Sequence, residues 1–241
     1  MEKVSLSQEK ETLLITLYAK GEESRLPDSL LQDRFAAAAS ERIDYDFARL
    51  GINRDIMVGL AMRAHTLDQW ARAFLAFHPD ASVLHLGCGL DSRVFRIDPP
   101  ASVRWFDVDY PDVIALRRRL YPERAGYSLI GSSVTDPAWL ETIAAEGRPA
   151  LILAEGIFPY LQSDEAIPLL TRLVQHFPQG EIAFDAYSRL GLRMIRKQRS
   201  IRATGAQLHW SLDDPHEIER EIPRLKLMQD LLAYDRQVYD P

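Results

Sequence analysis

The strongest constraint on the fold is a series of five short apolar runs that alternate with helical stretches. The runs are bounded by proline, glycine and aspartate, and they read SVLHLG, VRWFDVD, YSLIGSS, ALILAEG and EIAFDAY. Between them, helices are predicted at residues 92–95, 111–120, 137–145 and 163–176. Apolar strands that alternate with helices are typical of a parallel sheet covered on both faces. We therefore predict an α/β fold with a doubly wound, mostly parallel sheet.

The residues before the first run have helical periodicity. Three helical faces can be traced, one with Leu13, Leu14 and Leu17, one with Leu30, Leu31 and Phe35, and one with Met57, Leu60, Ala64, Leu67, Ala71 and Phe74. This pattern predicts a helical N-terminal section. We expect residues 1–78 to cover the open edge of a cleft in residues 79–241, with both parts in one folded unit.

The pattern weakens after the fifth run. A basic helix is predicted over residues 189–203, and residues 222–234 are compatible with a sixth strand or with a helix. No further strand is evident before Pro241. Either the sheet is smaller than usual for this architecture, or the chain lacks a final strand.

Composition narrows the classes of partner. The 29 basic and 35 acidic residues give a formal net charge of −6, so nucleic acid is not expected as a partner. Cys88 is the single cysteine, which favours a reducing compartment, the cytoplasm. We find no signal peptide and no apolar run near the ~20 residues that span a bilayer, so no membrane partner is expected. No metal site is predicted.

The first apolar run ends in a glycine pair within VLHLGCGLDSR. Gly87, Cys88 and Gly89 occupy the first strand-to-helix turn, where Rossmann-like sheets bind their ligands. Asp109 ends the second run 20 residues after Gly89, the usual offset for a carboxylate that accepts hydrogen bonds from a ribose. A glycine pair alone often serves only a tight turn, but this combination indicates an adenosine-containing ligand.

The residues after the glycine pair distinguish among adenosine ligands. A dinucleotide fingerprint needs a third glycine, but Ser92 stands there, preceded by Asp91. A carboxylate at the helix start disfavours a bound diphosphate. S-adenosylmethionine has no phosphate and carries a sulfonium, an ammonium and one carboxylate, which suits an acid-lined cleft. Glu155, at the end of the fourth run, adds an acid there, although a solvated loop acid is the alternative.

The chain resembles class I S-adenosylmethionine-dependent methyltransferases, and within them the leucine carboxyl methyltransferase-like group, which includes O-methyltransferases of polyketide biosynthesis. The resemblance rests on the following segments in this order: ETLLITLYAKGEES, LQDRFA, VLHLGCGLDSRVFR, WFDVDYPDVIALRR, LAEGIFPYL and WSLDDPHEIE. It implies S-adenosylmethionine as methyl donor, S-adenosylhomocysteine as product and a small-molecule acceptor.

The resemblance also implies roles for the donor-site residues. Gly87, with Cys88 and Gly89 in the same turn, would lie against the methionine part of the donor. Asp109 would accept hydrogen bonds from the ribose hydroxyls.

The other matched positions lie outside the glycine turn. Arg63 would bind the donor's carboxylate, and Glu155 would contact its amino acid end. Ser133 and Val134 would border the adenine. Without the resemblance, Arg63 would read as a surface arginine of a helix.

One departure concerns the acceptor. Thr16 stands where protein-modifying members of the group carry a lysine, so a cation that could recognise a carboxylate substrate is missing there. This disfavours a protein C-terminus as acceptor and favours a small-molecule hydroxyl. The expected reaction is O-methylation of a small molecule, such as a polyketide-type hydroxyl or carboxyl. Two alternatives of another class are a nucleotide-cofactor oxidoreductase, which the missing third glycine disfavours, and a non-catalytic donor-binding protein.

Methyl transfer to a hydroxyl benefits from a base that removes the acceptor's proton. His209 and Tyr160 are the candidate catalytic residues, and Tyr187 is a further polar candidate. Their alternatives are a packed loop histidine and amphipathic wall residues. Tyr18 and Phe35 of the helical cover are expected to line the acceptor pocket.

Overall fold

The computed structural model describes residues 2–3, 6 and 8–232. All five predicted strands form one parallel sheet in the order β5-β4-β3-β6-β7. The strands are β3 (Ser82–Leu86), β4 (Arg104–Asp109), β5 (Tyr127–Gly131), β6 (Ala150–Ala154) and β7 (Gly180–Phe184). Two short strands, β1 (Glu2–Lys3) and β2 (Ile43–Asp44), pair with each other separately. The predicted doubly wound, Rossmann-like sheet is therefore confirmed.

The strand order positions a ligand crevice. The chain runs from β3 outward through β4 to β5, and then returns to the other side of β3 for β6 and β7. The order reverses between β3 and β6, and in open α/β sheets ligands bind outside the carboxyl ends of the strands at such a switch point. Both β3 and β6 are buried along their whole length, as expected for strands covered on two faces.

Helices cover both faces of the sheet. They are α1 (Thr12–Glu23), α2 (Arg34–Arg42), α3 (Arg54–Phe77), α4 (Arg93–Ile97), α5 (Pro111–Leu120), α6 (Ala138–Glu141), α7 (Ala166–His176), α8 (Arg189–Ile195), α9 (Arg199–Thr204) and α10 (His216–Glu221). Short 3-10 helices lie at Gln8–Glu11, Phe47–Leu50 and Phe158–Tyr160. The four helices predicted between the strands are present as α4 to α7, of which α6 is shorter than predicted.

Alternate residues of β3 face opposite layers. Leu84 packs in the hydrophobic cluster that contains Leu170 of α7. Its neighbour Val83 packs in the cluster that contains Ala71 and Phe74 of α3. The period of two in the strand thus joins the sheet to a helix on each side.

The helical cover shares its core with the rest of the chain. Leu14 and Leu17 of α1 are fully buried, in one cluster with Val113 and Leu116 of α5. The predicted face of α3 is also buried at Ala64, Leu67, Ala71 and Phe74. The division at residues 78 and 79 stays a prediction. No helix in the described part of the chain is long and apolar enough to cross a membrane.

Three local expectations were wrong. Leu30 is 47% exposed, because it lies in the loop after α1, whose backbone is held by the Glu23 carboxylate. The basic segment forms the two helices α8 and α9 instead of one, since Gln198 adopts an extended backbone between them. Residues 222–232 form neither a strand nor a helix, and residues 233 and 234 of that expectation lie outside the described residues.

Candidate active site

A cavity of about 500 Å³ lies at the carboxyl ends of the strands. All eight predicted donor-site residues line it: Arg63, Gly87, Cys88, Gly89, Asp109, Ser133, Val134 and Glu155. The strand-to-helix turns after β3, β5 and β6 and the end of β4 supply seven of them, and α3 supplies Arg63. The sheet therefore brings together side chains that are up to 92 positions apart in sequence.

The glycine turn after β3 requires glycine at both positions. Gly87 has a φ of +57° and Gly89 a φ of +49°, in the left-handed region that side chains disfavour. A Cβ on Gly87 would lie 2.5 Å from Cδ1 of Ile157. The space beside each glycine is thus filled by neighbouring side chains, and both glycines line the cavity. Between the glycines, Cys88 is buried, and burial raises the pKa of its thiol well above the usual value, so the thiol stays protonated.

Asp109 is fixed by the glycine turn. Its Oδ2 accepts a hydrogen bond from the Gly89 N–H at 2.7 Å, and its Oδ1 accepts one from the Tyr110 N–H at 2.7 Å. Burial raises the pKa of this carboxyl, and the two backbone bonds offset part of the rise. Each oxygen keeps a lone pair for another donor, so the carboxylate can bind ligand hydroxyls at the cavity wall.

Glu155 is held by three cations. Lys20 Nζ lies 2.9 Å from its Oε1. Arg63 Nε lies 3.2 Å from the same oxygen, and Arg93 donates to Oε2. Burial opposes ionisation of Glu155, but these cations hold the pKa of its carboxyl well below its usual range. The carboxylate is therefore ionised at the end of β6.

Arg63 bridges the ends of two strands. In addition to its bond to Glu155, Arg63 donates through Nη1 to Asp185 Oδ2 at 3.0 Å. Asp185 Oδ1 in turn accepts a hydrogen bond from the Gly156 N–H at 2.5 Å. Asp185 was not singled out from the sequence. It directly follows β7, so its place after the fifth apolar run could have identified it.

Lys20 was also missed. Thr16 lines the cavity and its Oγ1 donates to the Leu13 carbonyl. One helical turn further along, Lys20 is 2% exposed and bonds both Asp91 and Glu155 at 2.9 Å. Its signal was a charged residue on the apolar face of α1 that carries Leu13 and Leu17. A cation is thus present near Thr16, but two carboxylates already neutralise it.

The candidate catalytic residues also lie at the cavity. The candidates that line it are His209, Tyr160 and Tyr187. The backbone N–H of His209 donates to the Pro159 carbonyl at 2.7 Å. Burial raises the pKa of both tyrosines above the usual value for a phenol. Both phenols are therefore neutral hydrogen-bonding groups at physiological pH.

Tyr18 and Phe35 do not line the cavity, so the expectation for these two residues was wrong. Tyr18 stacks on Phe47 with ring centroids 4.6 Å apart, and Phe35 stacks on Phe95 at 4.7 Å. Both rings therefore pack between helices. The cover instead lines the cavity through Thr12, Leu13 and Thr16 of α1.

The charge of the cavity fits a cationic ligand without phosphate. Three cations line it, Lys10, Lys20 and Arg63, against five carboxylates, Glu9, Asp91, Asp109, Glu155 and Glu165. S-adenosylmethionine carries a net positive charge, which such a cavity attracts. The negative charge of Asp91 is expected from the sequence to disfavour a bound diphosphate. In the structure this charge is compensated, because Lys20 and Arg96 pair with Asp91. Among the described residues, no group of His, Cys, Asp or Glu forms a metal site.

Comparisons with known proteins agree with this site. The family model for leucine carboxyl methyltransferase matches residues 15–174. The tetracenomycin polyketide synthesis O-methyltransferase TcmP of Streptomyces glaucescens is 46% identical over 234 residues, which cover 97% of this chain and 86% of TcmP. The S-adenosyl-L-methionine-dependent methyltransferase dpfgK of Gibberella zeae is 38% identical, over 96% of this chain and 84% of dpfgK.

A solved structure supports the fold. The crystal structure of a protein from Thermobifida fusca YX that is assigned as a methyltransferase matches with a TM-score of 0.59 and 21% identity. The match covers 89% of this chain and 79% of that chain. Together with the family match, these findings show that the chain belongs to the leucine carboxyl methyltransferase family and is an S-adenosylmethionine-dependent methyltransferase.

Proposed function

We propose that this enzyme transfers the methyl group of S-adenosylmethionine to an oxygen of a small molecule, a polyketide-type hydroxyl or carboxyl, and releases S-adenosylhomocysteine. The observation that carries the proposal is the similarity to TcmP, a polyketide O-methyltransferase, at 46% identity over nearly the whole chain. A cytoplasmic location and the lack of a nucleic-acid partner stay predictions from composition.

The wall of the cavity beyond the donor residues supports a small, largely apolar acceptor. Apolar side chains and a few polar ones form much of it: Ile56, Leu60, Tyr160, Tyr187, Ile195, Gln198, Ile201, Gln207, Leu208 and His209. Such a mixture of apolar walls and few polar groups is typical of small-molecule sites. The charged side chains Glu9, Lys10, Lys20, Asp91 and Glu165 also line the cavity. Lys20 is the cation nearest to Thr16 along α1, and its two carboxylate partners occupy it. This disfavours a protein C-terminal carboxylate as the acceptor.

We further propose that the donor lies across the glycine turn. Gly87, Cys88 and Gly89 would face its methionine part, and Asp109 its ribose. Ser133 and Val134 would border the adenine, while Arg63 and Glu155 would hold the carboxylate and the ammonium. Three observations support this placement: the glycine turn lines the cavity, Asp109 is fixed by that turn, and charged groups are paired at the end of β6.

When bound, S-adenosylmethionine supplies a methyl group that the adjacent sulfonium activates for displacement. The cavity's task is to align the acceptor oxygen with that methyl and to exclude water. We propose that His209 accepts the acceptor's proton as the new bond forms. Tyr160 is neutral because burial raises its pKa, so it would act as a hydrogen-bond donor that orients the acceptor and not as the base.

Replacement of His209 tests the acceptor chemistry. On a phenolic acceptor, His209→Ala is expected to lower kcat about 100-fold or more, the usual contribution of a general base, while the donor's KM stays unchanged. On a carboxylic acceptor, which is ionised at neutral pH, little effect is expected. The measurement is steady-state kinetics on matched phenolic and carboxylic substrates. His65→Ala, at a half-buried position of α3 outside the cavity lining, is the control. Full phenol methylation by His209→Ala would reject the role.

Removal of single charges tests the donor placement. Asp109→Asn and Glu155→Gln are each expected to weaken S-adenosylmethionine binding about 10-fold or more, the loss expected for a hydrogen bond to a charged group. Isothermal titration calorimetry measures this directly. Glu9→Gln removes the same charge from the cavity wall and serves as the control. Unchanged affinity in Asp109→Asn would show that the ribose lies elsewhere.

A further inference from the structure

His85 is a polar side chain in the middle of β3, the central strand of the sheet. It is 1% exposed, and both ring nitrogens have partners. Nδ1 lies 3.2 Å from Asp107 Oδ1, and Nε2 lies 3.1 Å from Arg93 Nη1. An arginine can only donate, so Nε2 is the acceptor and the proton is on Nδ1. The imidazole is therefore neutral and donates to Asp107.

Arg93 carries this arrangement to the donor site. Its guanidinium is fully buried at the start of α4. Arg93 Nε donates to Asp68 at 2.6 Å, Nη2 donates to Glu155, and Nη1 donates to His85. Three acceptors on three sides fix the plane of the guanidinium. His85 is the neutral one of the three.

Asp107 carries the arrangement to the glycine turn. Its Oδ1 also accepts the Trp105 Nε1–H at 2.8 Å, and its Oδ2 accepts from Tyr127 and Arg117. The same Arg117 donates through Nη1 to the backbone carbonyls of Gly89 and Asp91, at 2.9 and 2.8 Å. One buried hydrogen-bonded chain thus runs from the glycine turn to Glu155, and His85 is its central link.

We propose that His85 is a positioning residue for the methyl donor. Its Nε2 fixes the guanidinium of Arg93, which fixes the Glu155 carboxylate for the donor's ammonium. This role rests on the proposed placement of the donor's amino acid end at Glu155. It also accounts for a histidine in a strand position where an apolar side chain would avoid the cost of burying a polar group.

Two substitutions separate the two bonds of the ring. In His85→Gln, the terminal amide reaches the Nε2 position and can accept from Arg93. In His85→Asn, the shorter amide reaches the Nδ1 position and can bond Asp107 only. We expect His85→Asn to weaken S-adenosylmethionine binding about 10-fold or more and His85→Gln to bind within about threefold of the wild type.

Each variant is measured by calorimetry with S-adenosylmethionine and by thermal unfolding. A purely structural histidine predicts that the loss of affinity follows the loss of Tm in both variants. Tyr127→Phe removes another bond to Asp107 at the far end of the chain, and we expect it to lower Tm without changing affinity. Equal affinity in His85→Asn and His85→Gln overturns the proposal.

Glu155→Gln separates this inference from the proposed function. Wild-type affinity in Glu155→Gln would show that the amino acid end lies elsewhere, and both proposals would fail. Weakened binding in Glu155→Gln with normal binding in His85→Asn would reject the role of His85 alone. If His85→Asn does not fold, Arg93→Lys tests the same link, because a lysine keeps the charge but cannot bond all three partners. Wild-type affinity in Arg93→Lys overturns the proposal.

Discussion

Replacing Arg117 with methionine is expected to lower the free energy of unfolding by about 3–5 kcal/mol, the cost of breaking a buried ion pair by removing one partner. Arg117 and Asp107 are both 0% exposed and bonded to each other. Burial opposes ionisation of Asp107, but Arg117 and His85 hold the pKa of its carboxyl below the usual value. Without Arg117 the carboxylate would be buried beside no cation, and the carbonyls of the glycine turn would lose a donor.

The measurement is urea unfolding followed by circular dichroism. Arg118→Met, at the exposed neighbouring position, is the matched control and should stay within about 0.5 kcal/mol of the wild type. The stability from Asp107 is present above its unfolded pKa of about 4 and is lost as the pH falls through its lower folded value. The unfolded state is common to both proteins, and burial without its cation raises the pKa of this carboxyl in Arg117→Met. The difference between the wild type and Arg117→Met should therefore shrink as the pH falls through that raised pKa towards the lower wild-type value. A constant difference would show that Asp107 is not the cause.

Replacing Gly87 with alanine is expected to weaken S-adenosylmethionine binding about 100-fold or more. The added Cβ would lie 2.5 Å from Ile157 Cδ1 in a backbone with a φ of +57°, so either the turn or the wall of the cavity must shift. The left-handed backbone itself costs about 1–2 kcal/mol for a residue with a Cβ. Calorimetry and thermal unfolding on the same samples separate the two effects.

Gly147→Ala is the control for the backbone cost. Gly147 has a φ of +69°, but a Cβ there meets no atom within 4 Å. Gly147→Ala should lose about the 1–2 kcal/mol of stability that the left-handed backbone costs. It should bind the donor normally. Normal donor binding by Gly87→Ala would mean that the methionine part of the donor does not approach this turn.

The sequence predicted the strands and several residues that line the cavity because these are local signals. The run that became β6 is apolar throughout and the run that became β3 is mostly apolar. Each is followed directly by a turn residue that lines the cavity. Gly87 and Glu155 could therefore be placed by position alone. Asp185 follows β7 in the same way and was within reach of the same argument.

The charged network under the site was not predictable in this way. Charged side chains are almost never buried unless they are paired, and their partners here are distant in sequence. Arg63 and Asp185 are 122 positions apart, and Arg93 and Asp68 are 25 apart. Arg117 belongs to a run of three arginines that reads as a solvated helix face, and only the tertiary structure shows that it bonds the glycine turn. The stacking of Tyr18 on Phe47 and of Phe35 on Phe95 was missed because these partners are also distant in sequence.

The contact between Lys20 and Glu155 spans 135 positions. The first long helix of the chain therefore supplies the counter-charge for a carboxylate that is synthesised much later. During synthesis, Lys20 can pair with Asp91 first, and its bond to Glu155 forms only after β6 has emerged. Donor binding at Glu155 would therefore protect the amide protons of α1 from exchange, because Lys20 joins this helix to that carboxylate.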